Sequence, residues 1–180
     1  MASITEFKSA LTSGVQRQHK WRVLLSFPTD IAIPNETVRN ASLLATSTST
    51  PTSQIGVIEV GWGGRIVPLP GDRNFSTELP ITFISVNDDK TYEAFIRWQN
   101  AINQYQANAA TTTDVYADIE LQLLDQTDQV TESFVIRDAF PVTVGEKALD
   151  ATAQDSFVTF EVAFRFGHFD VFVKGTQITS

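Results

Sequence analysis

The chain contains no cysteine, one methionine and two histidines in its 180 residues. Without cysteine, neither a disulfide framework nor a thiolate metal site can form. His19 and His168 lie near opposite ends of the chain, and neither belongs to a carboxylate pattern typical of a metal site or a Ser-His-Asp triad. We therefore expect no metal centre, no cofactor and no catalytic triad.

Long hydrophobic runs are also missing. No stretch approaches the roughly 20 apolar residues of a membrane-spanning helix, and the first residues lack the basic and apolar regions of a secretion signal. The hydrophobic fraction of 42% is that of an ordinary globular chain. We expect no membrane insertion and one domain spanning residues 1–180, with extended terminal segments at 1–20 and 167–180.

Positive charge is scarce, since 13 Lys and Arg residues face 21 Asp and Glu residues, for a formal net charge of −8. An acidic surface repels phosphate backbones, so conventional nucleic-acid binding is excluded. A protein that lies close to DNA without adhering to it would need this sign of charge. Charge alone does not establish such a role, because it also serves solubility.

Period-two alternation is the strongest pattern in the chain. In residues 157–166, Val158, Phe160, Val162 and Phe164 alternate with more polar residues, and residues 115–123 repeat the design. Successive side chains of a strand point to opposite faces, so both segments predict sheets with one dry and one wet face. Thirteen phenylalanines fit a β-sheet core. Amphipathic strands without a cluster of reactive residues favour a protein that acts through the surface it presents over one that catalyses a reaction.

Further strands are expected at 21–27, 54–62, 65–69, 77–86 and 130–138, with a turn at 70–73, a hairpin turn at 125–129 and a separate short segment at 140–145. Helical spacing from Tyr92 to Tyr105 predicts one main helix, capped by residues 87–89. Shorter helical pieces can form within 9–15 and 36–44. We expect loops at 28–53, which includes a Ser/Thr run at 45–53, and at 107–113. Neither terminal segment shows the periodicity of an added strand.

No group of residues forms a catalytic pattern. Asp88 and Asp89 precede the helical pattern, where capping is the expected role of acidic residues. The glycine-rich residues 61–64 precede a strand and lack the Lys-Ser/Thr pair of a phosphate-binding loop. We expect no enzyme.

The order of several motifs points to one family. Glu78-Leu79-Pro80-Ile81-Thr82-Phe83 precedes a helix with Phe95-Ile96-Arg97-Trp98, and the hairpin strand 116–125 follows. Ala139-Phe140-Pro141 with Gly145, then Leu149-Asp150, lead to the aromatic strand. Over residues 20–172 the chain resembles the tail tube proteins of contractile-tailed bacteriophages, although Ala151 stands where that family usually has an aromatic residue.

The resemblance implies a mainly β (α+β) fold of two packed antiparallel sheets, sandwich- or barrel-like, with one flanking helix and a long loop. It implies six-membered rings that stack into a tube in the phage tail of the virion, assembled in the host bacterial cytoplasm. The implied partners are the tail sheath, baseplate and tail terminator proteins. DNA would pass through the lumen without specific binding.

Two alternatives stay open. The first alternative to the phage tail is a tube or tube-initiator subunit of a phage-derived injection device, such as a tailocin or a type VI-like machine. A ligand-binding β-sandwich is the second alternative, with Trp62 and Tyr116 as exposed stacking platforms.

Two sets of residues follow from these expectations. The polar positions of the alternating strands are candidates for the lumen, unless that face points outward to the sheath: Asp118, Glu120, Gln122, Thr159 and Glu161. Residues 40–75 contain apolar side chains that need burial in a segment poorly patterned for a core. The candidates there for subunit or ring contacts are Ser47, Thr50, Ile55, Trp62 and Arg65.

Overall fold

The computed structural model describes residues 3–12, 14–75, 77–105, 109–110 and 114–178. Within these ranges the helices are α1 (Ile4–Ala10), α2 (Asn35–Leu44) and α3 (Lys90–Ile102). The strands are β1 (Trp21–Leu25), β2 (Ala45–Thr48), β3 (Gln54–Trp62), β4 (Arg65–Asn74), β5 (Leu79–Ile84), β6 (Asn103–Gln104), β7 (Ala109–Ala110), β8 (Ala117–Leu124), β9 (Val130–Val144), β10 (Thr159–Arg165), β11 (His168–Val173) and β12 (Thr176–Gln177).

Eight strands form one antiparallel sheet that folds into two layers. Layer A has the order β1-β8-β9-β11-β12, and layer B has the order β9-β10-β5-β2. The strands β3 and β4 form a separate two-stranded hairpin, and β6 pairs only with β7.

The long strand β9 joins the layers. It pairs with β8 and β11 before Phe140, and with β10 from Phe140 to Val144. Asp138 has a φ of +55°, and the N–H of Gly167, which separates β10 from β11, donates to the carbonyl of Arg137 at 3.0 Å. A bend at this point lets β9 serve both layers. The separate segment expected at 140–145 is therefore wrong, because its residues continue β9.

The core lies between the layers and is closed by helices. Ile119 and Leu121 of layer A and Phe160 and Val162 of layer B belong to one buried cluster. Helix α3 adds Phe95, whose ring centroid lies 5.1 Å from that of Phe83 and 5.9 Å from that of Phe164. These contacts confirm the expected two-sheet fold and its alternation of core and outward-facing residues.

The residue before helix α3 is an aspartate, Asp89, whose side chain makes no capping hydrogen bond to the helix. Asp89 has a left-handed backbone, and its carboxylate accepts from the Ser85 hydroxyl at 2.8 Å and from Lys147 Nζ at 2.6 Å. These bonds lower the pKa of Asp89. Lys147 Nζ also lies 4.2 Å from the ring centroid of Tyr92. The expected capping role is wrong for Asp89, which instead ties the segment after β9 to the start of α3.

Several expected loops are strands. Residues 45–48 of the Ser/Thr run form β2, because the Thr46 and Thr48 hydroxyls bond the carbonyls of Thr82 and Pro80 and fit an edge strand. The turn expected at 70–73 lies within β4, opposite a register shift between Ile55 and Val57. Helix α2 and β2 thus occupy much of the loop expected at 28–53. The loop at 107–113 lies largely outside the described residues.

Both terminal segments differ from expectation. Residues 168–173 form β11, which pairs along β9, so the expectation that the C-terminal segment adds no strand is wrong. At the other end the helix begins earlier than residue 9, because Ser3 and Glu6 form a reciprocal capping box at the start of α1.

Candidate assembly and channel surfaces

The β3–β4 hairpin has one strongly apolar face. Cross-strand pairing brings Ile58 opposite Leu69, Val60 opposite Val67 and Trp62 opposite Arg65, and strand alternation places all six side chains on one face. We call this set the hairpin face. All nine residues of β3 are exposed, and Trp62 near the tip is 81% exposed.

The opposite face of the hairpin has fewer large apolar side chains, because two prolines, a glycine and a carboxylate interrupt it. It pairs Val57 with Pro70, Glu59 with Pro68 and Gly61 with Ile66. An isolated two-stranded hairpin is marginally stable in water, and a contiguous exposed apolar patch marks an interaction site. The hairpin face is therefore a candidate contact surface.

The five expected contact residues separate into two places. Trp62 and Arg65 lie opposite each other near the hairpin tip, while Ile55 pairs with Arg73 near its base. Ser47 lies on the edge strand β2 and Thr50 shortly after it, and both are exposed. Sequence reasoning missed Val60, Val67 and Leu69, although the alternation of Ile58, Val60 and Trp62 contained the signal.

Asp118, Glu120 and Gln122 form one row on the side of layer A that faces away from the core, where Asp118 is exposed, Glu120 is half-buried and Gln122 is buried. Gln122 accepts a hydrogen bond from Arg22 Nε and donates one from Nε2 to Glu120 at 2.6 Å. Asp118 accepts from Arg137, whose Nε also lies 3.6 Å from Asp170 Oδ2. We call Asp118, Glu120 and Gln122 the layer A row.

The layer A row is not a simple acidic strip. The hydrogen bond and the charge of Asp118 raise the pKa of Arg137, so this guanidinium stays charged beside it. Arg22 brings a second positive charge to the same face. Sequence reasoning missed both arginines, although each lies at an outward-facing position in its strand.

Thr159 and Glu161 form a second row, on the outer face of layer B. Glu161 is exposed and pairs with Thr82, and Thr159 pairs with Ile84. The Glu161 carbonyl accepts from the Gly145 N–H at 2.6 Å, and a Cβ at Gly145 would approach that oxygen to 2.8 Å, so glycine is required there. We call Thr159 and Glu161 the layer B row.

The structure therefore brings the five lumen candidates together as two rows and not as one. Each row alternates with side chains of the same core, Ile119 and Leu121 in β8 and Phe160 and Val162 in β10. Side chains on the outer faces of two packed layers point away from each other. One subunit can therefore present only one row to a given side.

Neither a metal-binding cluster nor a membrane-spanning helix occurs in the part of the chain that the structure describes. No three His, Cys, Asp or Glu side chains there are grouped so as to hold a metal ion. No helix in that part has the length and apolarity to cross a membrane.

Comparison with known proteins identifies the fold and the family. Residues 16–171 match the sequence model of a family described as "Phage tail tube protein". The chain belongs to this family. It is 43% identical over 170 residues to the tail tube protein of Serratia phage KSP90, covering 92% of this chain and 95% of that protein. The expectation of a structural virion protein of a phage tail is confirmed.

Solved structures of low sequence identity share the tail tube fold. A chain of the sheath-tube complex of the extracellular contractile injection system PVC, in its extended state, aligns with a TM-score of 0.64 at 17% identity, covering 96% of this chain and 99% of that chain. A chain of the anti-feeding prophage cap, which terminates the tube, aligns with a TM-score of 0.63 at 18% identity, covering 88% of this chain and 91% of that chain.

Proposed function

We propose that this tail tube protein acts as a single domain and assembles into six-membered rings that stack to form the inner tube of a contractile tail. The tail sheath surrounds the tube, the baseplate and tail terminator proteins bind its ends, and DNA leaves the virion through its lumen. Family membership supports the tube, and likeness to a chain of a sheath-tube complex supports the contractile setting. Assembly takes place in the host cytoplasm.

The hairpin face is the observation that carries this proposal. Its aliphatic pairs stay exposed in the isolated chain, and β3 and β4 pair only with each other. A second copy that covers this face removes apolar surface from water, which is the main driving force of association. The hairpin thus serves as the arm that holds subunits or rings together.

Ring closure is supported by β1 and β2, the strands at the two ends of the path β1-β8-β9-β10-β5-β2. In the described chain β1 pairs only with β8, and β2 pairs only with β5, so each leaves one edge unpaired. Five antiparallel steps separate them along β1-β8-β9-β10-β5-β2, so β1 and β2 run in opposite directions. β1 of one copy can therefore join β2 of the next in an antiparallel sheet, which removes both edges.

The experiment is electron microscopy of the purified chain, combined with native mass spectrometry. Hexamers, and rings or tubes with six-fold symmetry, are expected. Amide hydrogen exchange should slow at residues 21–25 and 45–48 on assembly, because their edges become paired. A chain that stays monomeric at high concentration, or rings of another symmetry, would contradict the proposal.

The channel is lined by one of the two rows, whose carboxylates repel DNA phosphates at short range. Glu120→Lys and Glu161→Lys test the rows separately without removing the carboxylate that pairs with Arg137. In phage particles that assemble normally, one of the two variants should slow DNA ejection and the other should serve as its control. If both variants eject DNA at the wild-type rate, neither row faces the channel.

A second candidate function is a tube or tube-initiator subunit of a phage-derived injection device. The fold likeness to PVC and anti-feeding prophage chains favours it. Genes for a capsid and a DNA-packaging motor beside this gene would support the phage tail, and their absence beside intact tail genes would support the device.

A further inference from the structure

The N-terminal helix is well formed but unsupported by its own chain. The Ser3 hydroxyl accepts from the Glu6 N–H at 3.2 Å, and the Glu6 carboxylate accepts from the Ser3 N–H at 2.6 Å. None of the residues of α1 is buried. A helix this short is marginal in water without tertiary packing, even with good caps.

One side of this helix is apolar. Ile4, Phe7 and Leu11 follow at intervals of three and four residues and so lie on one face, and Phe7 is 63% exposed. The segment that follows the helix lies against the turn between β8 and β9, where Leu11 and Gln16 line a shallow cleft with residues 125–127 and the Gln16 amide donates to the Leu124 carbonyl at 2.9 Å. Within the described fold, Ile4 and Phe7 are left exposed.

A cleft of complementary character opens between α2 and the start of α3. It has a volume of about 470 Å³, and Leu43, Leu44 and Val86 supply its apolar lining. Leu43 is 70% exposed, and no residue of α1 lines the cleft. The volume exceeds the 150 Å³ or so of a cavity that accepts a benzene ring.

Charge also matches between helix and cleft. The rim carries Asp88 and Lys90, exposed and only loosely paired at 3.7 Å. Helix α1 carries Glu6 and Lys8 on either side of Phe7. A docked helix can therefore place each of its charges beside an opposite charge of the rim.

We propose that α1 of one copy docks into this cleft on a second copy, with Phe7 inserted beside Leu43. The inference rests on the proposed tube assembly, and it names a contact independent of the hairpin face. A second copy is the favoured occupant because the helix and the cleft have matching apolar and charged groups, and because the segment that follows the helix lies against the turn after β8, away from the cleft of its own chain.

The absence of native cysteine makes a disulfide test clean. Phe7→Cys and Leu43→Cys are made in separate chains, one of them tagged, then mixed, assembled and oxidised. A disulfide-linked heterodimer is expected from the tubes. The control pair is Phe7→Cys with Leu149→Cys, a leucine outside the cleft that is more exposed than Leu43, and should give little product. The variant Phe7→Ala should raise the concentration needed for assembly by about tenfold.

Three results would overturn the proposal. Normal tubes without the heterodimer would show that α1 docks elsewhere, leaving the tube function intact. An intrachain disulfide alone, in a chain that carries both cysteines, would assign the cleft to its own helix. Failure of the wild-type chain to assemble under any condition would remove both this proposal and the tube function.

Discussion

Replacing the central aliphatic pair of the hairpin face should weaken assembly without unfolding the subunit. Val60 and Val67 lie opposite each other and are 43% and 46% exposed. The double variant Val60→Thr/Val67→Thr keeps β-branched side chains and therefore the strand preference of both positions. It changes one methyl group of each valine to a hydroxyl.

The expected magnitude follows from what assembly would bury. About half of each side chain is still exposed in the subunit, so each variant threonine would bring a hydroxyl into a newly dry interface. At about 1 kcal/mol each, the pair should cost about 2 kcal/mol per contact, or close to thirtyfold in the concentration needed for assembly. The subunit's free energy of unfolding should change little, because β3 and β4 pair only with each other.

Sedimentation of tubes over a concentration series measures the assembly effect, and urea denaturation of the unassembled subunit measures stability. The control is Val57→Thr/Ile66→Thr, which introduces two hydroxyls on the opposite face at more exposed positions and, at Ile66, removes an ethyl group and not only a methyl group. It should assemble close to wild type. Equal loss in the two double variants, or none in Val60→Thr/Val67→Thr, would refute the assignment of the hairpin face.

Three further predictions concern the subunit itself. Lys147→Met removes the hydrogen bond to Asp89 and the cation over the Tyr92 ring, and should lower the free energy of unfolding by about 1 kcal/mol in urea denaturation. An unchanged free energy of unfolding would show that the Lys147–Asp89 contact has no role in stability. Trp98→Phe removes the N–H that donates to the buried Val115 carbonyl at 2.7 Å and should cost about 2 kcal/mol, and a loss below about 0.5 kcal/mol would contradict that account. The pKa of Asp125 is lowered by the Thr127 hydroxyl and the Gln129 N–H, so its stabilisation is complete above the ordinary value of 3.8 and is lost as pH falls through the folded-state pKa. Asp125→Asn should flatten this acid limb of stability, and an unchanged limb would refute the link.

The sheet layers were predictable from sequence because their signal is local. The alternation of Phe160, Val162 and Phe164 with Thr159 and Glu161 defines two faces without knowledge of any partner strand. The family resemblance was likewise confirmed. Both rest on residue order, which the sequence contains in full.

The errors lie where tertiary partners decide the outcome. Strand β2 forms from a Ser/Thr run because hydroxyls of that run bond carbonyls of β5, which lies far along the chain. Strand β11 forms because the part of β9 that precedes the bend at Asp138 offers an edge to pair with. Neither partner can be read from the segment itself.

The channel candidates show a different limit. Alternation assigns each polar residue to an outward face but does not say which layer it belongs to, so two rows from opposite layers read as one set. The compensating charge of Arg137 beside Asp118 depends on the pairing of β8 with β9 and was equally invisible. A sequence therefore predicts whether a strand face is polar better than it predicts the net charge of that face.

The hairpin shows how assembly is encoded in such a chain. A strand face that is buried within a subunit and one that is buried between subunits both need apolar side chains at every second residue. Ile58, Val60 and Trp62 therefore show the same alternation as a core strand. The fold separates the two cases, because these side chains stay exposed while those of β10 are buried. An apolar strand face that its own subunit leaves exposed must be covered by something else, and in a tube protein the nearest surface is another copy. The difference between pattern and burial is thus the observation on which the proposed assembly surface rests.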